Sequence, residues 1–350
     1  MKVDLRFLQE RFNFRSLSTQ EIPQAFLDSR SQPSPHAPLQ DLLQHGHFRR
    51  AAELASTELS QCPAQEADTI FQLLYTRLAC LVLISRPDLA SQEAAPIVEF
   101  FAGSPPGASE LMAYVPWELQ LLVVRLQAIG ASDAGRRGIM GLYALAGESR
   151  SQIRRAREHG SQSDVVLWTG RLADLGLKVA DTLVEMGELD TALRHLDTMD
   201  NVHVDTIAYR KALIRLRFGD VQGADHCIEQ LGDSKRKLSL RIVSEFAKDR
   251  IESAVELCRT MFDDGDPVFA SNLATCLLYT GHVAEARTIM QELLGRRPAF
   301  AGLLFNLSTI YELCTPQARD RKKSLVDQVA EKMPSFENGG WERPSAEFKL

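Results

Sequence analysis

From Pro38 almost to the C-terminus, apolar residues recur every three or four positions, and short polar turns interrupt the pattern. This spacing places apolar side chains on one face of an α-helix. Alternation typical of a strand never extends beyond a few residues. The pattern predicts helices joined by turns, and the predicted fold class is all-α.

The turns between successive helices share one register. They fall at Gly46, Gly187, Gly219, Asp249 and Gly281. Alanine stands five residues after every turn, at Ala51, Ala192, Ala224, Ala254 and Ala286, and a small or apolar residue stands nine after, at Ala55, Leu196, Ile228, Cys258 and Met290. A flexible turn, a small residue that lets two helix axes approach and an apolar residue one turn later predict a helical hairpin.

The last four turns lie 32, 30 and 32 residues apart. Proline follows seventeen residues after a turn at Pro63 and Pro298, and one residue later than that at Pro267, where we expect it to end the second helix. The register resembles the tetratricopeptide repeat, a pair of antiparallel helices of about 34 residues. We therefore expect an α-solenoid of tetratricopeptide-like helical hairpins.

Four segments follow from this register. They are an N-terminal amphipathic arm and linker (1–38), divergent helical hairpins (39–160), tetratricopeptide repeats (161–333) and a C-terminal tail (334–350). In the divergent segment we expect a hairpin over 64–85 and 87–101, a loop at 105–107, a helix opened by Pro116, and one or two helices within 131–160. An independent globular domain in this segment is the alternative.

The arm carries Leu5, Leu8 and Phe12 at helical spacing, joined by Val3 and Phe7, which predicts a short amphipathic helix. A Ser- and Pro-rich linker follows it. An apolar helix tethered in this way docks either on its own chain or on a partner, and we expect the former because ordered termini are those that are tied down.

Composition is that of a folded soluble protein, with 45% hydrophobic, 25% charged and 7% aromatic residues. A net charge of −6 argues against nucleic acid as a partner, since phosphate binding needs a basic excess. The six cysteines form no CxxC pair, which is typical of reduced thiols. No apolar stretch is long enough to cross a bilayer, so we expect a cytoplasmic protein with at most peripheral membrane contact.

The sequence contains no recognisable catalytic, cofactor or metal site, and we expect no enzyme. Gly138, Gly141 and Gly147 lack the order of a phosphate-binding loop and are interpreted as helix-packing positions. The acidic run 263–266 lacks the ligand pattern of a calcium loop and is interpreted as a solvated turn. His45 and His47 would need two more ligands for zinc. An enzyme with an unrecognised site remains an alternative.

Basic residues form four clusters along the chain. They are Arg136 and Arg137; Arg150, Arg154, Arg155 and Arg157; Lys235, Arg236 and Lys237; and Arg319, Arg321, Lys322 and Lys323. Each cluster either contacts anionic lipid headgroups or forms a solvated helix face balanced by acids, and we favour the second interpretation.

In a solenoid the first helices of successive repeats line a concave surface that binds partners. The candidate partner-binding residues on this surface are Tyr209, Arg210, Arg217, Asn272, Tyr279 and Asn306. A clamp for a chaperone tail would need paired lysines and asparagines on adjacent repeats, which Tyr209, Ser271 and Thr275 do not supply. A co-chaperone is therefore a minor alternative.

Two C-terminal segments carry a more specific signal. Residues 271–281 (SNLATCLLYTG) and 304–313 (LFNLSTIYEL), with the closing Phe348, Lys349 and Leu350, resemble the C-terminal repeats of the trafficking protein particle (TRAPP) complex subunit 12 family. The resemblance is strong over the last 80 or so residues, at the level of repeats over 161–266, and weak over the first 130. Animal members carry a long extension ahead of the repeats, and no activity housed there is expected of this chain.

The resemblance implies a scaffold subunit of TRAPP assemblies, which activate a Rab GTPase in ER-to-Golgi transport and autophagy. In that family small core subunits carry nucleotide exchange, and subunit 12 contacts the large accessory subunits 8, 11 and 13. The implied location is cytoplasmic, at early Golgi and ER–Golgi intermediate membranes. A tetratricopeptide adaptor that binds a peptide segment of another cytosolic partner is the alternative.

Overall fold

A computed structural model describes residues 4–103, 111–129, 135–261, 266–337 and 339–350. Their regular elements are helices, and no β-strand occurs in these ranges. The all-α prediction is therefore confirmed. The expected loop at 105–107 and residues 263–265 of the acidic run lie outside the described ranges.

The chain divides into two compact units. The first unit comprises Met1–Gly130 and Arg296–Leu350, and the second comprises Ala131–Gly295. These units do not follow the four sequence segments, because the two ends of the chain belong to the same unit. The boundaries at 38/39, 160/161 and 333/334 stay predictions of the repeat register.

The helices follow one another with short connections. The first unit begins with α1 (Arg6–Gln9), α2 (Gln24–Leu27), α3 (Leu39–Gln44), α4 (Phe48–Gln61), α5 (Ala67–Leu83), α6 (Pro87–Glu93), α7 (Ala95–Ala102) and α8 (Trp117–Gln127). The second unit holds α9 (Arg136–Glu158), α10 (Gln162–Glu185), α11 (Leu189–Asp197), α12 (Val204–Phe218), α13 (Val221–Glu229), α14 (Lys235–Ala247), α15 (Ile251–Arg259), α16 (Pro267–Tyr279) and α17 (Val283–Arg296). The first unit resumes with α18 (Ala301–Cys314) and α19 (Ala318–Ala330).

All five predicted turn residues adopt the left-handed conformation. Their φ angles are 74° at Gly46, 83° at Gly187, 83° at Gly219, 61° at Asp249 and 81° at Gly281. In each turn the next residue donates its backbone N–H to the carbonyl oxygen five residues before it, at 2.8 to 3.0 Å. This bond satisfies a carbonyl at the helix end and needs a residue with positive φ, which glycine adopts without strain.

The alanines five residues after the turns are fully buried. Ala51, Ala192, Ala224, Ala254 and Ala286 are all 0% exposed. The residues four positions later are at most 1% exposed in every repeat. The predicted hairpin register is therefore confirmed, and within the second unit consecutive hairpins form a solenoid-like array.

One further turn of this type, at Ser85, was not predicted from the sequence. Ser85 has a φ of 62°, and Arg86 donates to the carbonyl of Leu81 at 2.8 Å. Ala90 and Ala94, five and nine residues after Ser85, are 0% and 1% exposed. The repeat was missed because serine stands where the other turns have glycine or aspartate.

Two local expectations are wrong. Pro267 opens α16 and does not end the preceding helix, because the first turn of a helix needs no donor from its N1 residue. Gly147 is exposed, and a Cβ atom built on it would meet nothing within 4 Å, so it is not a packing position. Gly138, in contrast, is buried.

The N-terminal arm docks on its own unit. Leu5 and Leu8 are 1% and 3% exposed and join a core cluster with residues of α4, α5 and α8. The regular helix is only four residues long, and a 3-10 turn follows over Arg11–Asn13. Phe12 is 73% exposed, because this turn takes it off the face formed by Leu5 and Leu8.

The C-terminal segment packs within the same unit. Trp341 and Phe348 are buried and lie against Phe26, with ring centroids 5.4 and 6.3 Å from it. The backbone N–H of Trp341 donates to the carbonyl oxygen of Gly46 at 3.1 Å. Residues from both chain ends therefore complete the first unit.

Candidate partner-binding surface

The second unit presents a surface built from the first helices of its hairpins, α10, α12, α14 and α16. Helices α10, α12 and α14 each pack on the second helix of their own hairpin, and α12 and α14 also contact the first helix of the next hairpin. We call the exposed side of these four helices the first-helix face. Its side chains come from different repeats, so the repeat spacing determines which residues meet.

Three side-chain contacts join neighbouring first helices. The guanidinium of Arg210 on α12 pairs with Asp181 on α10. The guanidinium carbon of Arg236 on α14 lies 5.6 Å from the ring centroid of Tyr209. Such a contact is favourable because a cation is attracted to the face of an aromatic ring.

The third contact joins Phe246 on α14 to Tyr279 on α16. Their ring centroids are 4.9 Å apart with an interplanar angle of 87°, an edge-to-face arrangement. Tyr279 is nevertheless 69% exposed. Its ring is therefore held in position by Phe246 while most of it faces solvent, as in an anchor residue of a protein interface.

The structure places five of the six candidate residues on this face. Tyr209, Arg210 and Arg217 lie on α12, and Asn272 and Tyr279 lie on α16. Asn306 lies on α18, which belongs to the first unit.

Several residues that contribute to the first-helix face were not predicted from the sequence. Arg236 and Phe246 were not selected, although each lies about one repeat length from the tyrosine that it contacts. Leu213, four residues after Tyr209, is 42% exposed, and Val243, three residues before Phe246, is 39% exposed. The repeat spacing combined with helical periodicity is the signal that would have found them.

The face also offers hydrogen-bonding groups. Ser271 Oγ is buried and has no hydrogen-bond partner among the described residues. Asn272 beside it is half-buried. Apolar anchors combined with polar groups and arginine suit the recognition of another polypeptide.

Cys80 is a buried thiol, and metal-binding residue types do not cluster in the described ranges. Burial raises the pKa of Cys80 to about 12, so its thiol stays protonated. No group of three or more His, Cys, Asp or Glu side chains that could hold a metal ion occurs in the described ranges. In the same ranges, no helix has the length and apolarity needed to cross a bilayer.

Comparison with known proteins gives a distant relationship. No family model matches the chain. Alignment with subunit 12 of the trafficking protein particle complex from Mus musculus gives 21% identity over 379 positions, covering 94% of this chain and 46% of the mouse protein. The chain is similar to trafficking protein particle complex subunit 12.

The Homo sapiens subunit 12 is 23% identical over 193 residues, covering 50% of this chain and 26% of the human protein. The chain thus spans less than half the length of these relatives. A solved structure of the P58(IPK) TPR domain gives a TM-score of 0.22 at 13% identity, covering 89% of this chain and 94% of that chain. The hairpin register and the similarity to subunit 12 support a helical-repeat scaffold or adaptor.

Proposed function

We propose that the protein is a non-catalytic accessory subunit of a TRAPP vesicle-tethering complex. In this proposal it acts in ER-to-Golgi transport and autophagy, at the cytoplasmic side of early Golgi and ER–Golgi intermediate membranes. Its partners are other TRAPP subunits, notably the large accessory subunits 8, 11 and 13, and the core subunits link it to a Rab GTPase. The similarity to the mouse subunit over 94% of this chain supports the proposal.

The observation that carries the proposal is the exposed aromatic anchor on the first-helix face. Tyr279 is fixed by Phe246 but 69% exposed, so binding a partner would cost little side-chain entropy. Leu213 on α12, two hairpins before Tyr279, adds exposed apolar area, and Arg210 and Arg217 on the same helix supply positive charge. A scaffold works by burying such surface, and a permanent interface buries upward of about 2,000 Å².

The proposal is tested by affinity purification of the tagged full chain from its native cell. Quantitative mass spectrometry then measures which proteins are recovered with it. The wild-type chain is expected to recover TRAPP subunits. Leu213→Ser/Tyr279→Ser is expected to reduce their recovery at least tenfold, because interface anchors each contribute about 2 kcal/mol or more. The matched control is Leu313→Ser/Tyr114→Ser, which removes a leucine and a tyrosine that are 66% and 48% exposed in the first unit.

Two results would contradict different parts of the proposal. Recovery of other proteins but no TRAPP subunit by the wild-type chain would overturn membership of the complex. Equal loss of TRAPP subunits in the two double variants would overturn the role of the first-helix face. Retention by Leu213→Ser/Tyr279→Ser at the wild-type level would do the same.

The alternative is an adaptor that binds a peptide segment of another cytosolic partner. Ser271 Oγ favours this function, because a peptide backbone in the face would provide the hydrogen-bond partner that this buried atom lacks in the described structure. Binding of fluorescent peptide libraries to the full chain would identify such a ligand. Ser271→Ala is then expected to weaken binding by about tenfold, while a peptide adaptor would not recover intact TRAPP assemblies.

A further inference from the structure

Helix α9 has an exposed basic side that the proposed scaffold function does not use. Its buried residues are Gly138, Leu142, Ala146, Ser149, Ile153 and Ala156. On another side of the helix, exposed residues follow one another at intervals of three or four positions: Arg136, Met140, Tyr143, Gly147, Arg150, Arg154 and Arg157. We call these seven residues the arginine stripe. At 1.5 Å per residue, the stripe is about 30 Å long.

The charge of α9 is unusual for this chain. The helix contains six arginines and two glutamates, whereas the whole protein has a net charge of −6. Many other basic residues of the second unit are paired with carboxylates, as Arg215 is with Asp220 and Arg241 with Glu229. Within the part of the chain that the structure describes, Arg150, Arg154 and Arg157 have no carboxylate partner.

Exposed apolar side chains accompany these arginines. Met140 and Tyr143, within the stripe, are 67% and 48% exposed. The chain reverses at Gly160, where φ is 70°, and α10 returns along α9. Val166 and Leu167 in the first turns of α10 are 64% and 49% exposed, and the antiparallel arrangement brings them level with the last turns of α9.

We propose that the arginine stripe and the adjoining Val166 and Leu167 bind the surface of an anionic phospholipid bilayer. Unpaired arginines mixed with exposed apolar and aromatic side chains are typical of helices that lie in a membrane interface. Guanidinium groups form paired hydrogen bonds with phosphate oxygens, and tyrosine rings favour the headgroup level. An acidic protein would supply carboxylates to pair with the arginines. Its charge would not explain why four apolar side chains are exposed beside them.

The negative charge on the rest of the chain favours an orientation in which α9 faces the membrane. With a net charge of −6 overall, most of the protein surface is repelled by anionic lipid, whereas α9 is attracted to it. The long helix can lie along the bilayer because the stripe has arginines at both ends and the exposed Met140 and Tyr143 between them. The stripe itself lies on α9, which is not one of the four helices of the first-helix face, and only Val166 and Leu167 lie on α10. Membrane contact through the arginines therefore does not depend on membership of a tethering complex.

Co-sedimentation of the purified full chain with vesicles tests the proposal. The vesicles contain either phosphatidylcholine alone or phosphatidylcholine with 30% phosphatidylserine. The wild-type chain is expected to bind the anionic vesicles at least tenfold better and to be released by high salt. Arg150→Glu/Arg154→Glu is expected to weaken binding at least 25-fold, because each arginine near an anionic surface contributes about a fivefold factor. Arg150→Lys/Arg154→Lys keeps the charge and is expected to restore most of the binding.

Arg319→Glu/Arg321→Glu is the matched control, because both arginines are exposed on α19 and the change in net charge is the same. It is expected to bind like the wild type.

Val166→Ser/Leu167→Ser tests the apolar contribution and is expected to weaken binding about tenfold while circular dichroism shows an unchanged helical content. Equal binding to neutral and anionic vesicles would overturn the proposal, and so would equal losses in the α9 and α19 variants. Binding to polyglutamate but not to anionic vesicles would assign the stripe to an acidic protein instead.

Discussion

Arg77 and Glu93 form a two-pronged ion pair in the interior of the first unit, with Nε to Oε2 at 2.8 Å and Nη2 to Oε1 at 2.7 Å. Their side chains are 1% and 0% exposed. Arg77 also donates to the carbonyl oxygens of Ala52 and Arg15, at 3.1 and 2.7 Å, and Glu93 accepts the backbone N–H of Arg15 at 2.8 Å. The pair therefore connects the N-terminal arm, α4, α5 and α6.

Arg77→Met is expected to lower the free energy of unfolding by about 3–5 kcal/mol, because it leaves the Glu93 carboxylate buried without its cationic partner. Urea unfolding followed by circular dichroism measures this change. The double variant Arg77→Met/Glu93→Leu removes the buried charge and is expected to recover part of the loss. Arg194→Met breaks an ion pair with 75% and 74% exposed side chains, and its expected cost is below about 1 kcal/mol. A similar cost for Arg77→Met and Arg194→Met would contradict the role of the buried pair.

The alanine register gives a second prediction. Ala286 is 0% exposed, whereas Ala284 on the same helix is exposed. Ala286→Leu is expected to lower the free energy of unfolding by about 1–3 kcal/mol, because the larger side chain has no space between the packed helices. Ala284→Leu is expected to change it by less than about 0.5 kcal/mol. Equal effects in urea unfolding would show that the small residue is not needed.

Gly46 combines a left-handed conformation with a close backbone approach. Its φ angle is 74°, and a Cβ atom would lie 2.3 Å from the carbonyl oxygen of Ser335. Gly187 has a φ of 83°, but a Cβ atom there would meet nothing within 4 Å. Gly187→Ala is expected to cost about 1 kcal/mol from backbone strain, and Gly46→Ala about 2–4 kcal/mol because the clash adds to the strain. Thermal unfolding separates the two variants, and equal shifts would contradict the contact with Ser335.

The sequence predicted local structure well because the repeat imposes a fixed register. Turn residues such as Gly219 and Asp249 could be located because a positive φ and a hydrogen bond across the turn depend on neighbouring residues only. Ala224 and Ala254 could be assigned to helix contacts because these contacts occur within one hairpin. Ser85 was missed because serine seldom indicates a left-handed turn.

Contacts between distant segments could not be predicted in the same way. Phe26 packs on Trp341 and Phe348, more than 300 residues away in the chain, and no repeat spacing relates them. On the first-helix face, Tyr209 and Tyr279 were selected from single helices. Their partners depend on how neighbouring repeats are placed, which helical periodicity within one helix does not specify.

His47 makes the stability of the first unit depend on pH. Burial lowers the pKa of His47, and His45 adds to this effect, although the nearby Glu342 opposes it. The ring packs edge-to-face on Trp341 with centroids 5.2 Å apart, and its buried Nδ1 has no hydrogen-bond partner among the described residues. A proton on this nitrogen would therefore be poorly solvated in the folded state.

Because the folded state binds this proton less readily than the unfolded state, stability from His47 is fully present above pH of about 6.5 and is lost as the pH falls below that value towards the lowered pKa. His47→Phe keeps the ring but cannot titrate, so its free energy of unfolding is expected to decrease less than that of the wild type between pH 7.5 and pH 5.5. Urea unfolding at a series of pH values measures the difference. His36→Phe, at an exposed position in the same unit, is the control and is expected to follow the wild type. If the free energy of unfolding of His47→Phe depended on pH as that of the wild type does, the acid sensitivity would come from other groups.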